Sequence, residues 1–145
     1  MKKLISTLVI AAAAVSGGLA HAQTANTILV EFQGPGGHSS GNYGRTSALH
    51  AAARSVMALQ KAGLPAGSYA VTDLTGGNSV NSIASDGKFV ATLNAQSGVS
   101  AADFLAKVTE AAKTGTDAEN AFRNVKPGDL TAGAPADIRY SVKPQ

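Results

Sequence analysis

The chain has 145 residues, 44% of them hydrophobic and 14% charged, with a formal net charge of +3 and no cysteine. That length suits one domain with a short extension and leaves no room for a catalytic domain plus a separate substrate domain. Zero cysteine excludes a disulfide framework, thiolate zinc sites, iron–sulfur clusters and a thiol nucleophile, and with aromatics at 5% the core must be aliphatic and alanine-rich.

Residues 1–22 read as a signal peptide. Lys2 and Lys3 give a basic start, and Leu4 to Val15 is apolar apart from Ser6 and Thr7. Ala20-His21-Ala22 supplies the small-x-small pattern of a cleavage site, placing the cut after Ala22. The apolar run is too short for a membrane anchor, and no stop-transfer charges follow it. The expectation is therefore a periplasmic or secreted protein with no membrane attachment after cleavage. Losing Lys2 and Lys3 lowers the net charge to about +1, so the basic pI is weak support for nucleic-acid binding.

Residues 23–145 read as a single domain. Thr27 to Gln33 is a strand, with Ile28, Val30 and Phe32 on one face and Glu31 and Gln33 on the other. Gly34 to Gly41 reads as a loop that can neither continue the strand nor start a helix. A helix is predicted from about Ser47 to Ala62, on the spacing of Leu49, Ala52, Val56 and Leu59. Thr46 or Ser47 can cap its start and Gly63 its end, and Pro65 prevents continuation. Its alanines (Ala48, Ala51, Ala52, Ala53, Ala58) let it lie close to a sheet.

Ser68 to Leu74 reads as a second strand ending at Gly76-Gly77, and Lys88 to Gln96 as a third, after an Asp86-Gly87 turn. The short link from Asn78 to Ser85 makes these two strands antiparallel neighbours. Ser100 to Asp103 opens a second helix with a capping-box pattern, followed by Phe104, Leu105, Val108, Ala111 and Ala112 on one stripe. Gly115 is expected to interrupt it, with another turn or two over Asp117 to Val125. Lys126 to Ala136 reads as a connector and Asp137 to Lys143 as a fourth strand, with Ile138, Tyr140 and Val142 inward. The order β-α-β-β-α-β with right-handed crossovers predicts an α+β, ferredoxin-like two-layer sandwich: a four-stranded antiparallel sheet with two helices on one face. The other sheet face must be solvated or covered by a partner.

Little here completes a catalytic centre. His38 and His50, the two histidines beyond the signal, form no H-x-x-x-H or H-x-D pair, and the nine acids are scattered over turns and helix surfaces, so no metal site is expected. Ser39 and Ser40 beside His38 lack triad geometry and a G-x-S-x-G elbow. The glycine-rich loop lacks the G-K-[ST] ending and the G-x-G-x-x-G spacing of phosphate-binding loops. Arginines and lysines are spread evenly, with no aromatic interleaving, which gives nucleic-acid binding no support. His50 reads as a solvated or partly packed helix residue.

Two segments point to a family. Gly36-Gly37-His38-Ser39-Ser40 follows a strand and precedes Gly44 and an alanine-rich helix; Gly76-Gly77-Asn78-Ser79-Val80-Asn81-Ser82-Ile83 lies between two strands. In this order they resemble the dimerisation, or lid, domain of the M20 family of metallopeptidases, over roughly residues 26–115. The resemblance implies a four-stranded sheet with two helices and self-association through a sheet edge and a helix. It also implies that His38 and Asn81 reach a partner subunit's active site, to hold a substrate carboxylate or the reaction's oxyanion. In the family this domain is inserted in a catalytic domain that holds two zinc ions; those ligands have no counterpart here, so no cofactor is expected and no catalysis by this chain alone. Asn94 and Gln96 stand where the family places an acid and an arginine, and Ala84 replaces a common proline.

Three readings follow. The first is an exported, free-standing, non-catalytic module that acts as a homodimer or binds a protein or peptide. The second is a split or remnant subunit of an M20 zinc hydrolase, supplying His38 and Asn81 to a catalytic chain. The third is a small module that binds anions near those two residues.

Overall fold

The computed structural model describes residues 25–145, so the signal-peptide reading of residues 1–22 lies outside the described residues. In chain order the elements are β1 (Thr27–Gln33), β2 (Gly37–His38), α1 (Ala48–Gln60), β3 (Tyr69–Gly76), β4 (Ser82–Ile83), β5 (Asp86–Leu93), α2 (Ala101–Phe122), β6 (Leu130–Thr131), β7 (Ala134–Pro135) and β8 (Arg139–Pro144). The main sheet has the order β3-β5-β1-β8 with every neighbouring pair antiparallel. Each helix connects two strands that are parallel to each other and separated by a third, which is the ferredoxin-like split topology.

Alternation in β1 and β5 fixes which face is buried. Ile28, Val30 and Phe32 pair across the strands with Ala91, Phe89 and Gly87, and all are buried under the helices. The helices contribute Ala48, Ala51, Ala52 and Leu59 from α1, and Phe104, Val108, Ala111 and Ala112 from α2. Phe32 and Phe89 stack with ring centroids 6.1 Å apart. Polar residues occupy the opposite face, where Glu31 sits across from Lys88 and Ser141.

Both helices are capped as their sequences require. Ser47 Oγ accepts from the amide of His50, and Ser100 Oγ accepts from that of Asp103 at 3.0 Å. The first helix therefore begins at Ala48 and ends at Gln60, with Gly63 taking a positive φ just beyond it.

Several expectations need correction. Gly115 does not interrupt α2, which runs unbroken for 22 residues; the glycine instead lets α1 approach. Asp86 and Gly87 are not a turn but the first residues of β5. A side chain at 87 would put its Cβ 2.5 Å from the carbonyl oxygen of Ala48, so glycine is needed for helix–sheet contact, not for chain reversal. The third main strand stops at Leu93, because Asn94 turns the chain: its Oδ1 accepts from the amide of Gln96 at 3.1 Å. The second strand extends to Gly76 through a bulge at Asp73 and Leu74, where Asp73 has φ 55°. Two segments read as plain loop or connector contain short ribbons, β2 with β4 and β6 with β7. In the fourth strand Ile138 is buried as expected, while Tyr140 is 36% exposed at the sheet's edge.

Candidate functional site

The sheet's strand directions gather three loops at one end. Gln33 pairs with both Asp86 and Arg139, so the C-terminal end of β1 and the N-terminal ends of β5 and β8 lie together there. The segments 34–47, 77–85 and 123–138 leave from this end, bringing the start of α1 and the finish of α2 with them. At the other end the amide of Gln145 donates to the carbonyl of Thr27 at 2.8 Å.

The glycines shape the first two loops. Gly36 has φ +65° and Gly37 φ +130°, and a Cβ on either would come within 2.8 Å of Ser85 or Asn42. Gly76 packs so tightly that a Cβ there would be 2.4 Å from the Asp86 carbonyl, and Gly77 turns the chain at φ +78°. The ribbon pairs Gly37 with Ile83 and His38 with Ser82, and the amide of Ser39 donates to the carbonyl of Asn81 at 2.9 Å.

This ribbon brings His38 and Asn81, forty-three residues apart in sequence, into contact: Asn81 Nδ2 lies 3.1 Å from His38 Nε2. Ser40 Oγ is 2.8 Å from His38 Nδ1, and Ser79 Oγ donates to Asn81 Oδ1 at 2.7 Å. Both ring nitrogens are thus engaged and the imidazole is held from two sides. Both residues are exposed. In this contact the Asn81 amide donates to an unprotonated Nε2; in the other tautomer that bond gives way, and the ring N–H and the amide together present two donors to an incoming oxyanion.

A second polar cluster lies behind the loops and was not legible as such in the sequence. Glu119 of α2 is completely buried, contrary to the expectation that the acids lie at the surface. Its Oε1 accepts from the backbone amide of Ser47 at 3.0 Å and from Arg123 Nε at 3.3 Å, and its Oε2 from Arg54 Nε at 3.0 Å. His50 Nδ1 is 3.8 Å from Oε1, with its side chain 57% exposed. Arg54 and Arg123 also stack on Phe122, each 4.9 Å from the ring centroid. The basic residues are therefore not evenly spread in space. The signal was present: an α2 stripe continued through Gly115 puts 104, 108, 111, 115 and 119 on one face.

Among the described residues no group of three or more His, Asp or Glu side chains could hold a metal ion. The donor set does not fit the zinc pair that the family resemblance associates with a catalytic domain. No described helix is long and apolar enough to cross a membrane. On the open sheet face Lys143 pairs with Glu31, and this bond and charge hold the Glu31 carboxyl below its ordinary pKa.

Fold and loops together define a ferredoxin-like α+β domain carrying an exposed histidine–asparagine pair at one end. The sequence matches the family described as peptidase dimerisation domain over residues 21–120, and the chain belongs to this M20 dimerisation-domain family. No curated protein matches it in sequence. Its structure is similar to a hydantoinase/carbamoylase family amidase from Burkholderia ambifaria, at TM-score 0.54 and 18% identity over 81% of this chain. The likeness to a hydantoinase/carbamoylase family amidase from Burkholderia vietnamiensis is comparable, at TM-score 0.55 and 16% identity over 81% of this chain. The chain spans 26% of the length of each of these amidases, and at such identities the likeness is one of fold.

Proposed function

We propose that this protein is an exported association module: a dimerisation domain that pairs with a second copy of itself and carries no catalytic centre of its own. Membership of the dimerisation-domain family carries this reading, and the character of the two sheet edges supports one mode of pairing over the other. The β8 edge is ill suited, since it ends at Pro144, which has no amide to donate, and bears Arg139 and Lys143. The β3 edge is longer, is regular over Tyr69–Thr72 ahead of its bulge, and packs beside α1. Met57 on α1 and Leu74 on β3 are large apolar side chains left 55% and 43% exposed. An antiparallel β3–β3 pairing about a two-fold axis would extend the sheet across both copies and cover these side chains. Light scattering after size exclusion tests this, with a dimer expected at micromolar concentration; a monomer at that concentration overturns it.

A second reading is favoured by the His38–Asn81 pair. Two convergent donors at a loop tip suit delivery of hydrogen bonds to a site on another chain, so the module would serve a separate M20 catalytic chain as a substrate-holding subunit. Copurification with a zinc hydrolase supports this reading, and exclusive self-association opposes it. In both readings the signal peptide ends at Ala22 and the product is periplasmic or secreted. Mass spectrometry of the purified protein checks it, with an N-terminus at Gln23 expected.

A further inference from the structure

Beside the ribbon, a cleft of about 320 Å³ opens between the 39–47 loop, the 76–84 hairpin and the end of α2. Arg45, His50 and Arg123 line it, and none of its lining residues is acidic. Ser39, Ser79 and Ser82 add hydroxyls, and Leu49 and Ile83 add an apolar portion.

We infer that this cleft is a binding site for a small organic oxyanion, held by Arg45 and Arg123 through a carboxylate or phosphate group. Charge is the first ground. Around the cleft stand three guanidinium groups, Arg45, Arg54 and Arg123, and two carboxylates, Glu119, which Arg54 and Arg123 share, and Asp86, which accepts from the Gly77 amide, leaving an excess of about one positive charge that falls on Arg45. Among the described residues Arg45 has no carboxylate within ion-pair distance; its only side-chain bond is to the carbonyl of Gly36 at 3.0 Å. A guanidinium carries five donors in a planar fork, so most of Arg45's capacity is unused in the protein and suits two oxygens of one anion.

The second ground is that the cleft is built. Arg123 is held by Glu119 and by the Phe122 ring, so its position does not depend on a ligand. Three of the amides at the helix start are already occupied: Ser47 donates to Glu119, Ala48 to the Ala84 carbonyl and His50 to Ser47 Oγ. Recognition therefore rests on side chains rather than on the start of α1. The apolar portion at Leu49 and Ile83 favours an anion with a short organic body over a bare ion. Neither His38 nor Asn81 lines this cleft, so the site is separate from the donor pair on the ribbon.

Titration followed by backbone-amide NMR tests the inference, with inorganic phosphate in one arm and N-acetylglycine in the other. Saturable shifts are expected at Arg45, His50, Ser79 and Ser82, with N-acetylglycine binding more tightly than phosphate if the apolar portion contributes. Tighter phosphate binding would overturn the assignment to an organic anion. Arg45→Gln should weaken binding about tenfold, since a hydrogen bond to a charged group is worth about 1.5 kcal/mol or more. His50→Gln serves as a second variant should Arg45→Gln disturb the loop. Shifts that stay linear with concentration, that sodium chloride reproduces at equal ionic strength, or that persist unchanged in both variants overturn the site.

Discussion

Gly115 of α2 lies against Ser55 of α1 with no space for a methyl group: a Cβ at 115 would be 2.1 Å from Ser55 Oγ and 2.4 Å from its backbone nitrogen. Ser55 Oγ donates to the Ala51 carbonyl at 2.8 Å and lies 3.4 Å from that of Ala112, so the hydroxyl ties the two helices together at their closest approach. Retreat of α1 is blocked on its other side, where Ala48 presses on Gly87. In a free helix, Gly115→Ala would gain about 1 kcal/mol of propensity. Here the clash with a buried backbone wins, and the variant should lose about 3 kcal/mol, the upper range for overpacking. Urea denaturation reads the sign: a stabilised variant would show that the helices are not in contact at this point.

Glu119 should matter to stability more than any other acid. Glu119→Ala leaves the Ser47 amide, Arg54 and Arg123 without their shared acceptor. Breaking a buried pair costs about 3–5 kcal/mol, and the lower end applies because both arginines reach water. Glu119→Gln keeps one acceptor and loses the charge, for a smaller loss of about 1–2 kcal/mol. Chemical denaturation of both variants checks the order; equal and small losses would mean the cluster does not hold α1 to α2.

Much of this fold was legible because it obeys simple periodicities. Alternation in Thr27–Gln33 and Phe89–Leu93 placed two central strands and their buried faces, and the caps at Ser47 and Ser100 marked both helix starts. Glycine was where reading failed. On local grounds Asp86-Gly87 reads as a turn and Gly115 as a helix breaker, whereas each glycine is a point of close approach to α1, a tertiary requirement with no local signature. Breaking α2 at Gly115 also hid Glu119, since burial there follows only if the helix stripe continues. The contact between His38 and Asn81 depends on a two-residue ribbon too short to show alternation, so the residues could be named from family resemblance but not placed together.

The Glu31–Lys143 pair gives a pH dependence of known sign. Lys143 bonds to and attracts the carboxylate, so the folded pKa of Glu31 lies below its unfolded value. Its contribution to joining β1 and β8 is present above the unfolded value and is lost as pH falls through the folded one. Carbon-detected NMR titration should show a depressed Glu31 pKa that rises in Lys143→Ala. An unchanged value in the variant would remove Lys143 as the cause.

His38 and Asn81 should be dispensable for folding. Both are exposed, and their bonds are to exposed neighbours. His38→Ala and Asn81→Ala should each change stability by no more than about 0.5 kcal/mol, as for most surface substitutions. Circular dichroism and a urea midpoint check this together. Loss of the native spectrum in either variant would make the pair a structural clasp for the ribbon rather than a donor pair for a ligand.

The proposed β3 edge can be separated from β8 by charge. In the monomer Met57 and Leu74 already have about half their surface in water, so Met57→Lys and Leu74→Lys should cost the fold no more than about 1 kcal/mol each. In a β3-paired dimer both sites approach the two-fold axis, and each substitution removes apolar burial and sets like charges from the two copies near one another. Burying the exposed half of one such side chain is worth about 1 kcal/mol, and each copy contributes two, so the double variant should weaken the dimer about a hundredfold or more. The matching change at the other edge, Val142→Lys, alters a half-buried residue facing the helices, so a cleaner control is Ser141→Lys on the open face of β8. That control should leave the association constant unchanged. Sedimentation equilibrium across a concentration series distinguishes the edges: weakening by Ser141→Lys but not by the Met57 and Leu74 changes would move the contact to β8.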